Sequence, residues 1–170
     1  MGSLSGVRSI LETPILDAHK WSKLTTIECD AVLLDLEDSV APARKLEARA
    51  RVLQEIASPE GLGKKIGLPR VNALETEWGQ DDLAAIAAAG VKMFIYPKVS
   101  SAEELQDARR LSGGADVIVI IETARAMLDI ESIARVGLAG IINGPADMAH
   151  DVGWDMFTDG ALNAIAYGYI

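Results

Sequence analysis

The sequence is poor in the residues that build disulfides, soft-metal centres and membrane spans. Of its 170 residues, one is cysteine (Cys29) and two are histidine (His19 and His150). A single thiol excludes an internal disulfide and a thiolate metal cluster; beside a strand it is expected to be a small core residue. Two histidines argue against a multi-histidine zinc site. No apolar run approaches the roughly 18 residues of a membrane span. The opening "MGSLSGVRSI" has neither a basic n-region nor an apolar h-region, so no secretory signal is expected and the cytoplasm is the default compartment. Basic clusters are lacking too, and the formal net charge is −9. Nucleic acid is therefore excluded as a partner, because phosphate neutralisation needs grouped lysine and arginine. An anionic substrate would need local cations or a metal to offset that background.

What the chain does have is hydrophobic residues, 49% of the total, in a regular order. Short β-branched runs alternate with longer stretches of helical period, the pattern of βα units on a parallel sheet. Strands are expected over 7–13, 30–37, 66–72, 92–99, 116–123 and 138–145. Helices are expected over 42–57, 80–90, 101–111 and 124–137, with Ser101 and the pair Asp81–Asp82 marking two of the starts. The spacing suits either a (β/α) barrel or a doubly wound sheet, in one domain over 1–170. A complete eight-stranded barrel usually needs about 250 residues. The final "ALNAIAYGYI" reads as a sixth amphipathic helix, or as the end of a barrel that stops before its seventh and eighth units.

The stretch "AVLLDLEDSV" puts Asp35, Glu37 and Asp38 within four positions at the end of an apolar strand. Such crowding is tolerable when a cation or an arginine shares the site. In parallel α/β folds the chemistry gathers at the carboxyl ends of strands. There the chain carries Glu37 and Asp38, Arg70 and Asn72, Lys98, Glu122 and, just beyond the sixth strand, Asp147. Glu122 and Asp147 are hard oxygen donors suited to Mg²⁺ completed by water and substrate. Arg70 has the planar fork that clamps a carboxylate. Lys98 in "YPKV" is read as a turn residue hydrogen-bonded to carboxylates, with a Schiff-base lysine as the alternative. "GPAD" suggests a turn that delivers Asp147, with Gly144 supplying an unusual backbone angle. The run "RKLEARARVLQ" reads as a solvated amphipathic face.

In order along the chain, "RSILETP", "DAVLLDLEDSVAPARKLEAR", "LPRVN", "IYPKVSSAEEL", "IIETARAML" and "NGPADMAHDVG" resemble the HpcH/HpaI aldolase and citrate lyase β-subunit superfamily, over residues 8–153. The resemblance implies a TIM (β/α)8-type barrel, with about six βα units present here. It further implies Mg²⁺ on Glu122 and Asp147, and Arg70 on the oxo-acid or carboxylate end of the substrate. The expected activity is a Mg²⁺-dependent carbon–carbon lyase. It would cleave or form a 3-hydroxyacyl thioester such as citryl-, malyl- or citramalyl-coenzyme A, with coenzyme A as the substrate's handle. Arg70, Glu37 and Asp38 form the catalytic group on this reading, the two carboxylates by orienting Arg70, Lys98 or metal-bound water. Arg8, Gly144 and Pro145 join Arg70 in substrate binding. A homo-oligomer is expected, with small-molecule oxo acids or acyl thioesters as the other partners and no membrane. The alternative function is a catalytically incomplete metal- and oxo-acid-binding or assembly module.

Overall fold

The structure is a computed structural model that describes residues 4–155. Six strands, β1 (Ile10–Pro14), β2 (Ala31–Asp35), β3 (Ile66–Arg70), β4 (Met93–Tyr96), β5 (Asp116–Ile121) and β6 (Gly140–Asn143), form one sheet in sequential order. Every neighbouring pair is parallel. The sheet is a curled half-barrel, so the barrel expectation prevails over the doubly wound one. The sixth helix expected at 161–170 lies outside the described residues.

Side-chain parity divides the sheet. On the inner face Ala31, Leu33, Leu68, Met93, Ile95, Ile118 and Ile120 form one buried cluster, and Leu4 and Val7 pack against it from the segment before β1. On the outer face Val32 and Leu34 pack with Ala48 and Val52 of α2 (Lys45–Ala57). Phe94, Val117, Val119 and Ile121 pack with Leu83 and Ile86 of α3 (Gly79–Ala88) and with Leu105 and Ala108 of α4 (Ala102–Leu111). The i, i+3 and i, i+4 spacing of these helix residues gives each helix one apolar stripe against the sheet. The middles of β2, β4 and β5 are apolar on both sides because both faces of the sheet are covered there.

Three local expectations change. A five-residue helix, α1 (Ala18–Ser22), follows β1, capped by Asp17, whose side chain accepts from the Lys20 amide at 3.0 Å. The helix expected over 124–137 is two, α5 (Ala124–Leu128) and α6 (Ile130–Ala134), parted at Asp129. The break leaves Leu128 in solvent while Ala126 and Ile133 both reach the core. Ser101 caps α4 as expected, its hydroxyl accepting from the Glu104 amide at 3.1 Å. Asp82 instead lies inside the first turn of α3, buried, and serves Asn72 and Arg49.

The β3–α3 connection is tight. A Cβ on Gly79 would lie 2.2 Å from the carbonyl oxygen of Ala73, a backbone atom that cannot swing aside. Gly79→Ala is expected to cost about 2 kcal/mol or more, the scale of a forced overpacking, read as a lowered urea midpoint. An unchanged midpoint would mean that this connection is looser than described.

Candidate active site

Inner-face parity and strand register bring the charged residues together at the carboxyl rim. Asp35 and Arg70 are direct partners across β2 and β3, and Glu12 sits on the same face of β1. Arg70 Nε donates to Asp35 Oδ1 at 2.7 Å and Nη2 to Glu12 Oε1 at 2.8 Å. Its Nε also lies 3.4 Å from Glu37 Oε2. Burial works against ionising Asp35, but the Arg70 guanidinium outweighs it and holds the carboxyl below the usual range. Burial opposes the charge on Arg70 too; Asp35, Glu37 and Glu12 together keep that cation firmly protonated.

Lys98 ties the next two strands to this pair. Its Nζ donates to Glu37 Oε1 at 2.5 Å and to Asp38 Oδ1 at 3.0 Å, while its amide donates to Glu122 Oε1 at 2.7 Å. The backbone turns through φ +45° at Lys98, among the described residues the one non-glycine in the left-handed region. Against its partial burial, Glu37 and Asp38 raise its pKa above the ordinary lysine value. An amine held protonated is a poor nucleophile, so the ion-pairing role prevails over the Schiff base. Glu37 is raised, chiefly by burial, in spite of Lys98 and Arg70. Its Oε2 is buried and accepts no hydrogen bond.

Glu122 stands at the end of β5 with its pKa pushed up to about 7. Burial is the main cause, tempered by the Lys98 amide and reinforced by the charges of Glu37 and Asp147. Asp147 arrives from the first turn of α7 (Pro145–Val152), which begins with Pro145 at N1. Gly144 precedes it with φ −105°, an ordinary angle, so the expected conformational role is replaced by a steric one. A Cβ there would lie 2.5 Å from Glu122 Cβ and 2.7 Å from Glu122 Oε2. The absence of that Cβ lets α7 bring Asp147 up to Glu122.

Glu122 and Asp147 offer carboxylate oxygens here, Glu122 feels the charges of Asp147 and Glu37, and the buried Oε2 of Glu37 accepts no hydrogen bond. That fits a hard divalent cation. Among the described residues no group of three or more His, Cys, Asp or Glu side chains is arranged as a ready-made metal cage. Two carboxylates plus water and ligand oxygens match the habit of Mg²⁺ rather than Zn²⁺.

Not every expected residue reaches the rim. Arg8 precedes β1, at the amino ends of the strands, where its Nη2 and amide bind Asp30 at 3.3 and 2.8 Å. This is the opposite end from Arg70 and Glu122, and the substrate-binding expectation for Arg8 is corrected accordingly. Two cavities, one flanked by α1 and α2 and one around Arg8 and Lys65, likewise lie away from the rim residues.

Of the three crowded carboxylates, Asp35 is the one buried on Arg70, so an arginine does share that site. Further participants join it. Glu12 has the inward parity of Leu33, its partner in register, a period-two signal that would have found it. Lys45 is not solvated: its Nζ donates to the Leu36 and Glu37 carbonyls at 2.7 Å each and to Asn72 Oδ1 at 2.8 Å. Asn72 donates to Asp82 at 2.6 Å, and Asp82 accepts from Arg49 at 2.6 Å. The basic run of α2 thus holds the strand end that carries Glu37 and Asp38.

A family profile described as HpcH/HpaI aldolase/citrate lyase matches residues 8–161, and the chain belongs to that family. It is 35% identical over 146 residues to a (3S)-malyl-CoA thioesterase of Cereibacter sphaeroides, covering 85% of this chain and 51% of that protein. It is 31% identical over 159 residues to the citrate lyase subunit beta of Escherichia coli, covering 85% and 52%. Its fold superposes with a TM-score of 0.75 and 26% identity on Mycobacterium tuberculosis CitE crystallised with magnesium, acetoacetate and coenzyme A, covering 94% of this chain and 58% of that one. The chain spans about half the length of the curated relatives it matches.

A Glu122 carboxyl that binds its proton more tightly folded than unfolded stabilises the metal-free fold fully below its ordinary value of 4.5. That contribution is lost as pH rises through about 7. Glu122→Gln is expected to flatten this part of the stability–pH curve, by about 3 kcal/mol at most, in urea titrations with chelator present. Parallel curves for the two proteins would remove the assigned burial and repulsion at Glu122.

Proposed function

We propose that the rim binds Mg²⁺ and a 2-oxo acid and serves carbon–carbon cleavage or formation in a 3-hydroxyacyl thioester. The observation that carries this is the make-up of the rim. Arg70 and Lys98 bring cationic side chains paired with Asp35, Glu37 and Asp38, and Glu122, which feels the charge of Asp147, brings the carboxylate for a metal. Solved CitE with magnesium, acetoacetate and coenzyme A supports the ligand classes.

In the cleavage direction the 3-hydroxyl loses its proton and the C2–C3 bond breaks. The electron pair passes to the thioester carbonyl as an enolate, leaving a 2-oxo acid, and protonation of the enolate completes the acyl thioester. Mg²⁺ on Glu122 and Asp147 would supply Lewis-acid polarisation of the oxo-acid oxygens. Arg70 binds the carboxylate of the oxo-acid portion; its charge is already fixed by Asp35, so little reorganisation is needed when substrate arrives. Glu37 and Asp38 act through Lys98 and Arg70, as positioning residues. Gly144 and Pro145 line the same corner, where a side chain on Gly144 would meet Glu122 before any ligand did.

The second reading is thioester hydrolysis at the same site, favoured by the likeness to a malyl-CoA thioesterase. Products separate the two: a lyase releases oxo acid with an acyl thioester, a thioesterase releases free thiol with the hydroxy acid intact. A panel of malyl-, citramalyl- and citryl-CoA, read for oxo acid and free thiol in parallel, decides between them.

Calorimetry is expected to show pyruvate or oxaloacetate binding that depends on Mg²⁺. Glu122→Gln and Asp147→Asn should weaken it by at least about tenfold, the loss that even an outer partner of a metal ligand causes. Undiminished metal-dependent binding in both variants would refute the site.

A further inference from the structure

The carboxylate on the outer edge of Arg70 belongs to the chain itself. Arg70 Nε is committed to Asp35, whose side chain is 0% exposed and which also accepts from the Glu37 and Ser39 amides. Nη2 is held by Glu12, whose side chain is 56% exposed. Arg70 is the one hydrogen-bond partner of that side chain among the described residues. Nη1 has no partner among them. One carboxylate is therefore built in and the other is held by a single exposed contact.

We propose that Glu12 is a specificity-determining residue, its carboxylate standing on Arg70 where a ligand carboxylate must come. Resting on the assignment of Arg70 to carboxylate binding, the inference is that the ligand displaces Glu12 to engage Nη1 and Nη2 together. The exchange is easy in one direction. Glu12 makes one contact from the exposed side of the pair, whereas a two-pronged guanidinium–carboxylate contact is among the stronger charged hydrogen bonds. It is also selective. An incoming carboxylate replaces charge with charge; a neutral carbonyl oxygen would leave Arg70 less compensated, and Glu12 would return. Glu12 sits within β1, in register with Leu33, so the backbone stays fixed and only a side chain swings.

The geometry sets a test that net charge cannot mimic. Glu12→Asp keeps the charge but withdraws the carboxylate by one methylene, too short to hold Nη2 as Glu12 does; Glu12→Gln keeps the length and removes the charge. The full chain, ¹⁵N-labelled in arginine side chains, is titrated with acetate at constant ionic strength without metal. The Arg70 signal is identified by its loss in Arg70→Lys. Both Glu12 variants are expected to bind acetate roughly two- to fivefold more tightly than the unsubstituted chain, the gain from removing a single competing contact whose carboxylate is half in solvent. Equal or weaker binding in Glu12→Asp overturns the proposal, as does an Arg70 signal that acetate moves in none of the proteins. Turnover does not enter this readout. A chain that shows the Glu12 effect but no thioester chemistry loses the lyase reading and keeps the displacement; one that turns over with acetate affinity indifferent to Glu12→Asp does the reverse.

Discussion

The rim rests on the buried pair Arg70–Asp35. Strand register places the two residues opposite each other, and the side chains meet at 2.7 Å with almost no exposure. Removing two charges from water is costly, and such pairs are seldom net stabilising against an apolar substitute. What this one provides is position. A guanidinium fixed by Asp35 makes it tolerable for Glu12 and Glu37 to approach the same point, and Glu37 in turn holds Lys98. Without a protonated Arg70, four carboxylates would crowd the ends of β1 and β2 with only lysines to separate them.

A second polar layer keeps that arrangement in place from behind. Lys45 holds two consecutive carbonyls at the end of β2, and Asn72, Asp82 and Arg49 extend the chain of hydrogen bonds into α3 and back to α2. Each buried group in it has a charged or amide partner, the condition under which buried networks rigidify rather than destabilise. The turn bearing Glu37 and Asp38 is thus anchored by its backbone, leaving those side chains to face Lys98. Lys98 then reaches Glu122 through its own amide, so strands β2, β4 and β5 are connected at the rim by one residue.

Much of this was legible in the residue order. Alternating apolar and helical segments marked all six strands, and the position of polar residues just past each strand pointed to Glu37, Asp38, Arg70, Lys98, Glu122 and Asp147. The crowding of Asp35 with Glu37 and Asp38 pointed to a shared arginine, whereas Glu12, a single charge in β1, carries only a period-two signal. Lys45 was misread for a different reason. Helical spacing alone cannot tell a lysine facing water from one reaching two carbonyls on a neighbouring strand. The role of Gly144 was misassigned likewise, since the sequence displays a missing side chain but not the Glu122 carboxylate that needs the room.

By itself the sequence determined the fold class, the family and the residue types at the strand ends, because hydrophobic period and local caps are properties of contiguous residues. Only the tertiary structure decided which charges meet. Whether Arg70 pairs with Asp35 or stands open to a ligand, whether Arg8 faces the rim or the opposite end, and whether Glu122 ionises at its ordinary pH all depend on distances between residues far apart in the chain. Those distances are set by strand register and by the curl of the sheet, and electrostatic energy follows them steeply.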